Sequence, residues 1–439
     1  MSVVLKKMPR ILDVGSQDGA VRSRSCYWKS LLLVVLAFLV GFANAKGYLQ
    51  LLDLQFLSRL LTAMLVFILF LSSLTLLKSK GTPLKYIVPL FVLVLSKYAW
   101  LYFVNPGLFS VSGPEVNTNF AQGYYLFHTS YRGEVFYLLI GFFLCCVVAR
   151  GANSFRELRW IVGALVLGSG IAPLIGFFFF HQMVGFRETM VDGILFPGGF
   201  WNSSVISFIS VFWLAVAVMP YASKLGSWIL KIFLFFITMG ALVGLSRAAL
   251  VSMSISSMVY LVMAREGRAR IKLTIFFLLI ILICLLFFSN VVGDFQSRFI
   301  EKATLADELR LQIWMGYLSN FSQYWMSGMG EDGYLAFSAT RQGAHSIILS
   351  YLVRFGFLGV VFFLWLLYGV WVSIVKIQKA FPSKAIAAIC AWLTAYLCLV
   401  TYNETGFAEI GLYMPLGLLL AWGEIASRYG LCSETCGGR

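Results

Sequence analysis

"GAHSIILSYLVRFGFLGVVFFLWLLYGVWVSIV", residues 343–375, has His345 and Arg354 as its only basic side chains and no acidic one. A helix crossing about 30 Å of hydrocarbon needs about 20 mostly apolar residues, and this run exceeds that. It reads as a membrane span over 345–374. Eleven further apolar runs lie at 28–45, 57–77, 85–104, 133–149, 158–180, 204–219, 226–245, 248–264, 272–289, 384–402 and 408–426. Backbone polar groups cannot stay unpaired in lipid, so such runs become helices. With 60% hydrophobic and 12% charged residues over 439 positions, the composition excludes an ordinary soluble domain. The expectation is an all-α integral membrane protein of about 12 transmembrane helices, a single polytopic domain over 1–439.

A formal net charge of +15 suggests nucleic acid, but the basic residues form no single patch. Lys6, Lys7, Arg10, Arg22, Arg24 and Lys29 precede the first span. Lys78, Lys80 and Lys85 mark the second connection, and Arg150, Arg156 and Arg159 the fourth. Arg265, Arg268, Arg270 and Lys272 mark the eighth, and Lys376, Lys379 and Lys384 the tenth. All fall on one side of a twelve-span arrangement, which the positive-inside rule makes cytoplasmic. No nucleic-acid partner is expected. Segment 1–27 and tail 427–439 then lie in the cytoplasm. The run at 28–45 is kept as a span, with a signal peptide cleaved near "ANAKG" as a minor reading.

The eight cysteines fall in spans or cytoplasmic segments, so no disulfide is expected. Cys432 and Cys436 in "CSETC" suit a metal, though a lone pair on a tail is more often incidental. No phosphate-cradling Walker loop, dinucleotide fingerprint or zinc spacing occurs. That disfavours an ATP-driven pump, and no cofactor or metal is expected.

Three connections on the opposite face are long: 105–132, 181–203 and 290–344. Working residues gather on such loops, so this face is the active one. In "ADELRLQIWMGYLSNFSQYWMSG" the apolar positions Leu311, Trp314, Leu318, Phe321 and Trp325 recur at helical spacing behind Asp307 and Glu308. This predicts an amphipathic helix on the membrane surface between spans nine and ten; a helix that merely caps the bundle is the equal alternative. Gly328, Gly330 and Gly333 in "SGMGEDGY" end it and return the chain toward the site. Glu331 and Asp332 form either a divalent-ion ligand pair or, more commonly, a polar turn.

Charge at membrane depth is costly, so each instance is a functional candidate. Arg247 is the only charged residue in "ITMGALVGLSRAALVSMSISSMVYLVMA", 237–264. It sits at an external turn where span eight begins. A guanidinium beside free helix N–H groups suits phosphate or pyrophosphate; the alternative is an arginine that snorkels or pairs with an acid. His345 opens span ten on the same face. A helix N-terminus disfavours imidazolium, leaving a neutral base for a hydroxyl proton, while a lone interfacial histidine is more often a polar cap. Arg187, Arg310 and Arg341 are further external cations. Arg354 lies some two and a half turns past His345 and requires a buried partner, for which Glu404 and Glu409 are candidates.

"GLSRAAL" (244–250), "LRLQIWMGYLSNFSQYWMSGMGEDGY" (309–334) and "AHSIILSYLVRFGFLG" (344–359) follow one another in this order, and "FPGGFWNSS" (196–204) precedes them. The set resembles the O-antigen ligase and O-antigen polymerase superfamily, which has a Ser-Arg pair, an Arg-x-x-x-Trp helix leading to a Gly-x-Gly turn, and a His opening a span. The resemblance covers the C-terminal half of the chain. It implies a metal-independent, inverting glycosyltransferase of the GT-C type in the bacterial inner membrane. Such an enzyme takes a glycan from an undecaprenyl-pyrophosphate-linked donor at the periplasmic face and passes it to a sugar hydroxyl. It implies His345 as general base and Arg247 as pyrophosphate ligand, assisted by Arg187 or Arg310. Trp314, Tyr324 and Trp325 would line the glycan path.

Ser346, where ligases often have Asn, tilts the reading toward polymerase. The alternative is a ligase passing the chain to a lipid A core acceptor, and transfer to a protein hydroxyl is a third option. From another class, a lipid-linked glycan flippase fits the span count equally well. The gathering of charge at one face favours the enzyme.

Overall fold

The computed structural model describes residues 24–42, 55–76, 83–104, 131–179, 189–191, 194–196, 202–243, 247–264, 271, 274–282, 312–329, 346–402 and 410–436. In chain order the helices are α1 (Arg24–Phe42), α2 (Gln55–Leu76), α3 (Leu84–Val104), α4 (Tyr131–Gly151) and α5 (Phe155–Phe179). Next comes α6, in which a π-helical turn Phe208–Phe212 separates α-helical Asn202–Ser207 from Trp213–Val218. Then follow α7 (Lys224–Val243), α8 (Arg247–Met263), α9 (274–282), α10 (312–319) and α11 (Phe321–Tyr324). The last three are α12 (Ile347–Ala380), α13 (Ser383–Tyr402) and α14 (Ile410–Cys436). A helix meets each apolar run of the sequence. Those covering Phe155–Phe178, Lys224–Val243 and Ile347–Ala380 are long and apolar enough to cross a membrane.

Among the described residues the one departure from an all-α chain is small. Thr189–Val191 pairs antiparallel with Ile194–Phe196, Val191 opposite Ile194. The dipeptide between them, Asp192-Gly193, is the composition of a two-residue hairpin turn flanked by apolar residues. Chain patterning at the scale of 20-residue spans passes over so short a signal.

Lipid provides no hydrophobic force between helices, so cohesion comes from close packing at small residues. A methyl on Gly41 of α1 would lie 2.5 Å from the Leu165 carbonyl oxygen of α5, and one on Gly168 of α5 would strike the Phe38 carbonyl. The two backbones therefore touch. α14 packs against α4 and α12, and α8 against α13. Trp213 and Trp392 are fully buried; their indole N–H groups donate to Ser256 Oγ at 3.0 Å and the Ser210 carbonyl at 3.1 Å. Large apolar side chains such as Phe67, Phe70, Val92 and Ile232 point outward, as a lipid solvent requires.

Helix directions can be read from partners. At one end Ser30 of α1 donates to Glu157 Oε1 at 2.8 Å, and Arg159 donates to the Tyr221 carbonyl. Phe155, Tyr221, Phe381 and Trp422 form a ring cluster there, beside the Lys376–Glu424 pair at 3.1 Å. The α4–α5, α6–α7 and α12–α13 connections thus share one end. α3 runs antiparallel to α12: Tyr86 meets Trp365, while Tyr98, further along α3, meets Phe355 earlier in α12.

Candidate functional site: a loop spliced into a broken span

α12 is 34 residues long, on the order of 50 Å if straight, well beyond a hydrocarbon core. It is not straight. Gly356 has φ 70 and ψ −165, which splits it into a half-helix 347–355 and a longer part from 357. Gly328, in the turn after α11, has φ 68. Both are conformations that residues with a Cβ avoid.

The break frees one helical hydrogen bond, between the Val353 carbonyl and the Phe357 N–H. The turn at 325–329 frees the corresponding bond between the Trp325 carbonyl and the Met329 N–H. The two segments exchange partners: Met329 N–H donates to Val353 O at 2.7 Å, and Phe357 N–H donates to Trp325 O at 2.6 Å. The contact is nearly two-fold. A methyl on Gly328 would meet Phe355 N at 2.5 Å, and one on Gly356 would meet Met326 C at 2.5 Å and Gly328 N at 2.8 Å. The Val353 carbonyl and the Phe357 N–H are thus both satisfied, as non-helical backbone inside a membrane protein requires.

A third element joins them. Lys97 of α3 donates its ammonium to the Ser327 carbonyl at 2.8 Å and the Gly328 carbonyl at 3.2 Å. These are carbonyls at the C-terminal end of the loop helix, where a cation is favoured.

A small core holds the loop helices against the half-helix. Ile313, Tyr317 and Tyr324 pack on Val353, with Leu349, Leu352 and Met329 at the edge. Tyr324 is fully buried and its hydroxyl donates to the Tyr317 carbonyl at 2.6 Å. Burial raises its phenol pKa above the ordinary value. Of the stripe read from the sequence, Leu318, Phe321 and Trp325 face outward, with Phe321 stacked on Trp325, whereas Trp314 packs against this core and Leu311 lies outside the described residues. The loop helix therefore has two apolar faces. The one formed by Ile313, Tyr317 and Tyr324 grips the span, and the expected one stays open.

Ser346 caps the half-helix: its hydroxyl accepts from Leu349 N–H at 3.4 Å, and Ser350 Oγ donates to its carbonyl at 2.8 Å. His345, the residue before this cap, lies outside the described residues, as do Arg187, Arg310 and Arg341. Arg247 is the first residue of α8. Among the glycan-path candidates, Trp314 is half-buried, Trp325 exposed and Tyr324 buried. Arg354 is buried at 2% exposure, close enough to the Tyr351 and Tyr413 hydroxyls, themselves 3.2 Å apart, to act on both. Glu404 and Glu409 lie outside the described residues.

Sequence reasoning passed over Lys97 and Gly356. Lys97 lies inside an apolar run, and the cost of charge at membrane depth flags it as it flagged Arg247. Gly356 was quoted only as part of a motif.

These features fit an all-α membrane protein whose longest helix is broken and joined to the loop segment before it. A model of the O-antigen ligase family matches residues 232–364. The matched part of the chain contains α8, the loop helices and the break in α12, and it is the part whose motifs resemble the O-antigen ligase and O-antigen polymerase superfamily. No curated protein matches the chain.

Proposed function

We propose that the protein transfers a lipid-linked glycan to a hydroxyl acceptor in the synthesis of a bacterial surface polysaccharide. The observation that carries this is the family match over 232–364, which spans the Ser-Arg junction, the loop and the helix opened by Ser346. In this reading the chain crosses the inner membrane 12 times in a GT-C-like arrangement. Both termini, 1–27 and 427–439, are cytoplasmic, and 290–344 is the large periplasmic loop.

The donor is an undecaprenyl-pyrophosphate-linked glycan. His345 takes the proton from the acceptor hydroxyl as its oxygen attacks the anomeric carbon. The bond from that carbon to the pyrophosphate breaks on the opposite side, so configuration inverts and no metal is required. Charge grows on the departing pyrophosphate. Arg247, at the start of α8, and Arg187 or Arg310 stabilise it more in the transition state than in the ground state. Trp314 and Trp325, with Tyr324 beneath, border the glycan path.

Polymerisation of repeat units is favoured over ligation to a lipid A core on the strength of Ser346. The broken α12 also suits a flippase, since transporters place discontinuous helices at their sites. Surface polysaccharide from cells lacking the gene decides, after complementation with wild type, His345→Ala or Arg247→Ala at matched expression. Loss of transfer in both variants supports the enzyme. Single-repeat products then mean a polymerase and uncapped core a ligase. A wild-type ladder from both variants overturns the reading in favour of transport.

A further inference from the structure

We propose that Lys97 is a positioning residue for glycan transfer: through the Ser327 and Gly328 carbonyls it pins the loop turn to α3, and so fixes the half-helix whose N-terminus follows His345. The inference rests on the function proposed above and deepens it.

The exchange at Gly328 and Gly356 gains no hydrogen bonds. Two continuous helices would make the same number, without two backbones at positive φ. Stability therefore does not account for the arrangement; its product is geometric. It turns the half-helix 347–355 away from the rest of α12 and makes it one body with the loop helices, through the Ile313, Tyr317, Tyr324 and Val353 core.

That body is tied to the rest of α12 by the Phe357–Trp325 bond and by the chain at Gly356, which lie within the same few residues. Tethers so close together leave it free to rock about the glycine pair. Lys97 supplies a further tether from another helix. It stands on a different helix, which packs antiparallel along α12 through Tyr86 against Trp365 and Tyr98 against Phe355. It reaches the two carbonyls that lie between the exchanged bonds. A lysine within a membrane helix is costly, and here its ammonium is spent on orienting backbone rather than on an exposed surface pair.

The consequence for chemistry follows from tolerance. Reacting groups must be held within a fraction of an ångström, and a displacement of about 1 Å costs about 100-fold in rate. In the function proposed above the base is His345, the residue before the cap Ser346 in the sequence, so whatever orients the half-helix bears on it. Because Lys97 touches only backbone carbonyls of the loop turn and none of the residues proposed to bind the pyrophosphate, its loss is expected to act on turnover and not on donor binding.

The test uses the full-length protein in nanodiscs with an undecaprenyl-pyrophosphate-linked glycan as donor. Rates are measured for wild type, Lys97→Met, Lys97→Gln, Lys97→Arg and His345→Ala. Amide exchange of the 325–329 segment is followed in parallel. Lys97→Met is expected to lower kcat at least tenfold with donor KM within about twofold, and to speed exchange of the segment at least tenfold. Lys97→Arg, whose guanidinium can still donate to both carbonyls, restores both quantities, and Lys97→Gln lies between. Should Lys97→Met fail to fold, the Gln and Arg variants carry the comparison. Faster exchange with wild-type kcat overturns the positioning role, as does a lost kcat with unchanged exchange. A failure of the function itself reads out separately, because His345→Ala then turns over like wild type whatever the Lys97 variants do.

Discussion

Gly328 and Gly356 stand against each other at φ 68 and φ 70: a methyl on Gly356 would meet Gly328 N at 2.8 Å, and one on Gly328 would meet Phe355 N, next to Gly356, at 2.5 Å. One belongs to the turn after α11 and the other to α12, so the pair is where the loop segment enters the bundle. Glycine is required twice at each position, once for dihedral angle and once for distance.

The first prediction concerns that pair. At Gly356 the combination of positive φ with ψ −165 is essentially reserved for glycine, and Ala there costs about 1–3 kcal/mol in strain alone. The added methyl also meets Met326 backbone that cannot move without breaking the Phe357–Trp325 bond. Gly356→Ala is therefore expected to lower the apparent Tm in detergent and to expose the 312–329 segment to protease. Wild-type resistance of that segment would show that the turn does not dock on the span.

Tyr324 anchors the loop core from inside. Tyr324→Phe removes the 2.6 Å bond to the Tyr317 carbonyl, which keeps the Asn320 N–H at 3.2 Å, a loss of about 0.5–1.5 kcal/mol. The same residue predicts an alkaline limit. Burial raises its phenol pKa, so its contribution is complete below the ordinary value of 10.0 and is lost as pH climbs through the raised one. Loop proteolysis in the wild type should accelerate above about pH 10, whereas Tyr324→Phe, already weakened, should lack that added step. Equal pH profiles would remove Tyr324 as the titrating anchor.

Much of the bundle was legible because a span is a long signal. Twenty apolar residues in lipid have only the helix available, and α1 to α8 and α13 begin and end close to the runs read from the chain, while α12 and α14 continue past the ends read at 374 and 426 to Ala380 and Cys436. The Leu318, Phe321 and Trp325 stripe was legible for the same reason, by periodicity. The inward face was not, since Tyr317 and Tyr324 look equally at home at a membrane interface and only the Tyr324–Tyr317 bond distinguishes them. The splice was hidden more deeply. Val353 and Met329 pair through backbone atoms, which leave no side-chain pattern, and a lone glycine in an apolar run looks like ordinary helix packing. Lys97 was the available clue, a cation inside a span with no sequence neighbour to explain it.

Ser346 offers a separate handle on the half-helix. As N-cap it satisfies the Leu349 N–H, though at 3.4 Å the bond is long. Ser346→Ala is expected to cost about 0.5–1 kcal/mol, the low end for a cap, and Ser346→Asn to cost close to nothing because Asn caps as well as Ser. Transfer activity of the Asn variant near wild type, with a reduced rate for Ala, would tie the cap to turnover. Equal rates for Ala and Ser would show that the half-helix start is held by its packing instead.

The last prediction separates backbone contact from surface charge. Lys376 and Glu424 form a 3.1 Å pair with 37% and 26% side-chain exposure, and screening limits such a pair to about 0–1 kcal/mol. Gly168 of α5 lies against the Phe38 carbonyl of α1, with Phe42 N at 2.9 Å from where a Cβ would be. A larger residue there must push two whole helices apart, and overpacking of this kind costs about 1–3 kcal/mol. Lys376→Met should leave the apparent Tm within about a degree, while Gly168→Val should lower it by several degrees. The reverse ranking would mean that α1 is held to the bundle by its Ser30–Glu157 bond at the end and not by helix contact along its length.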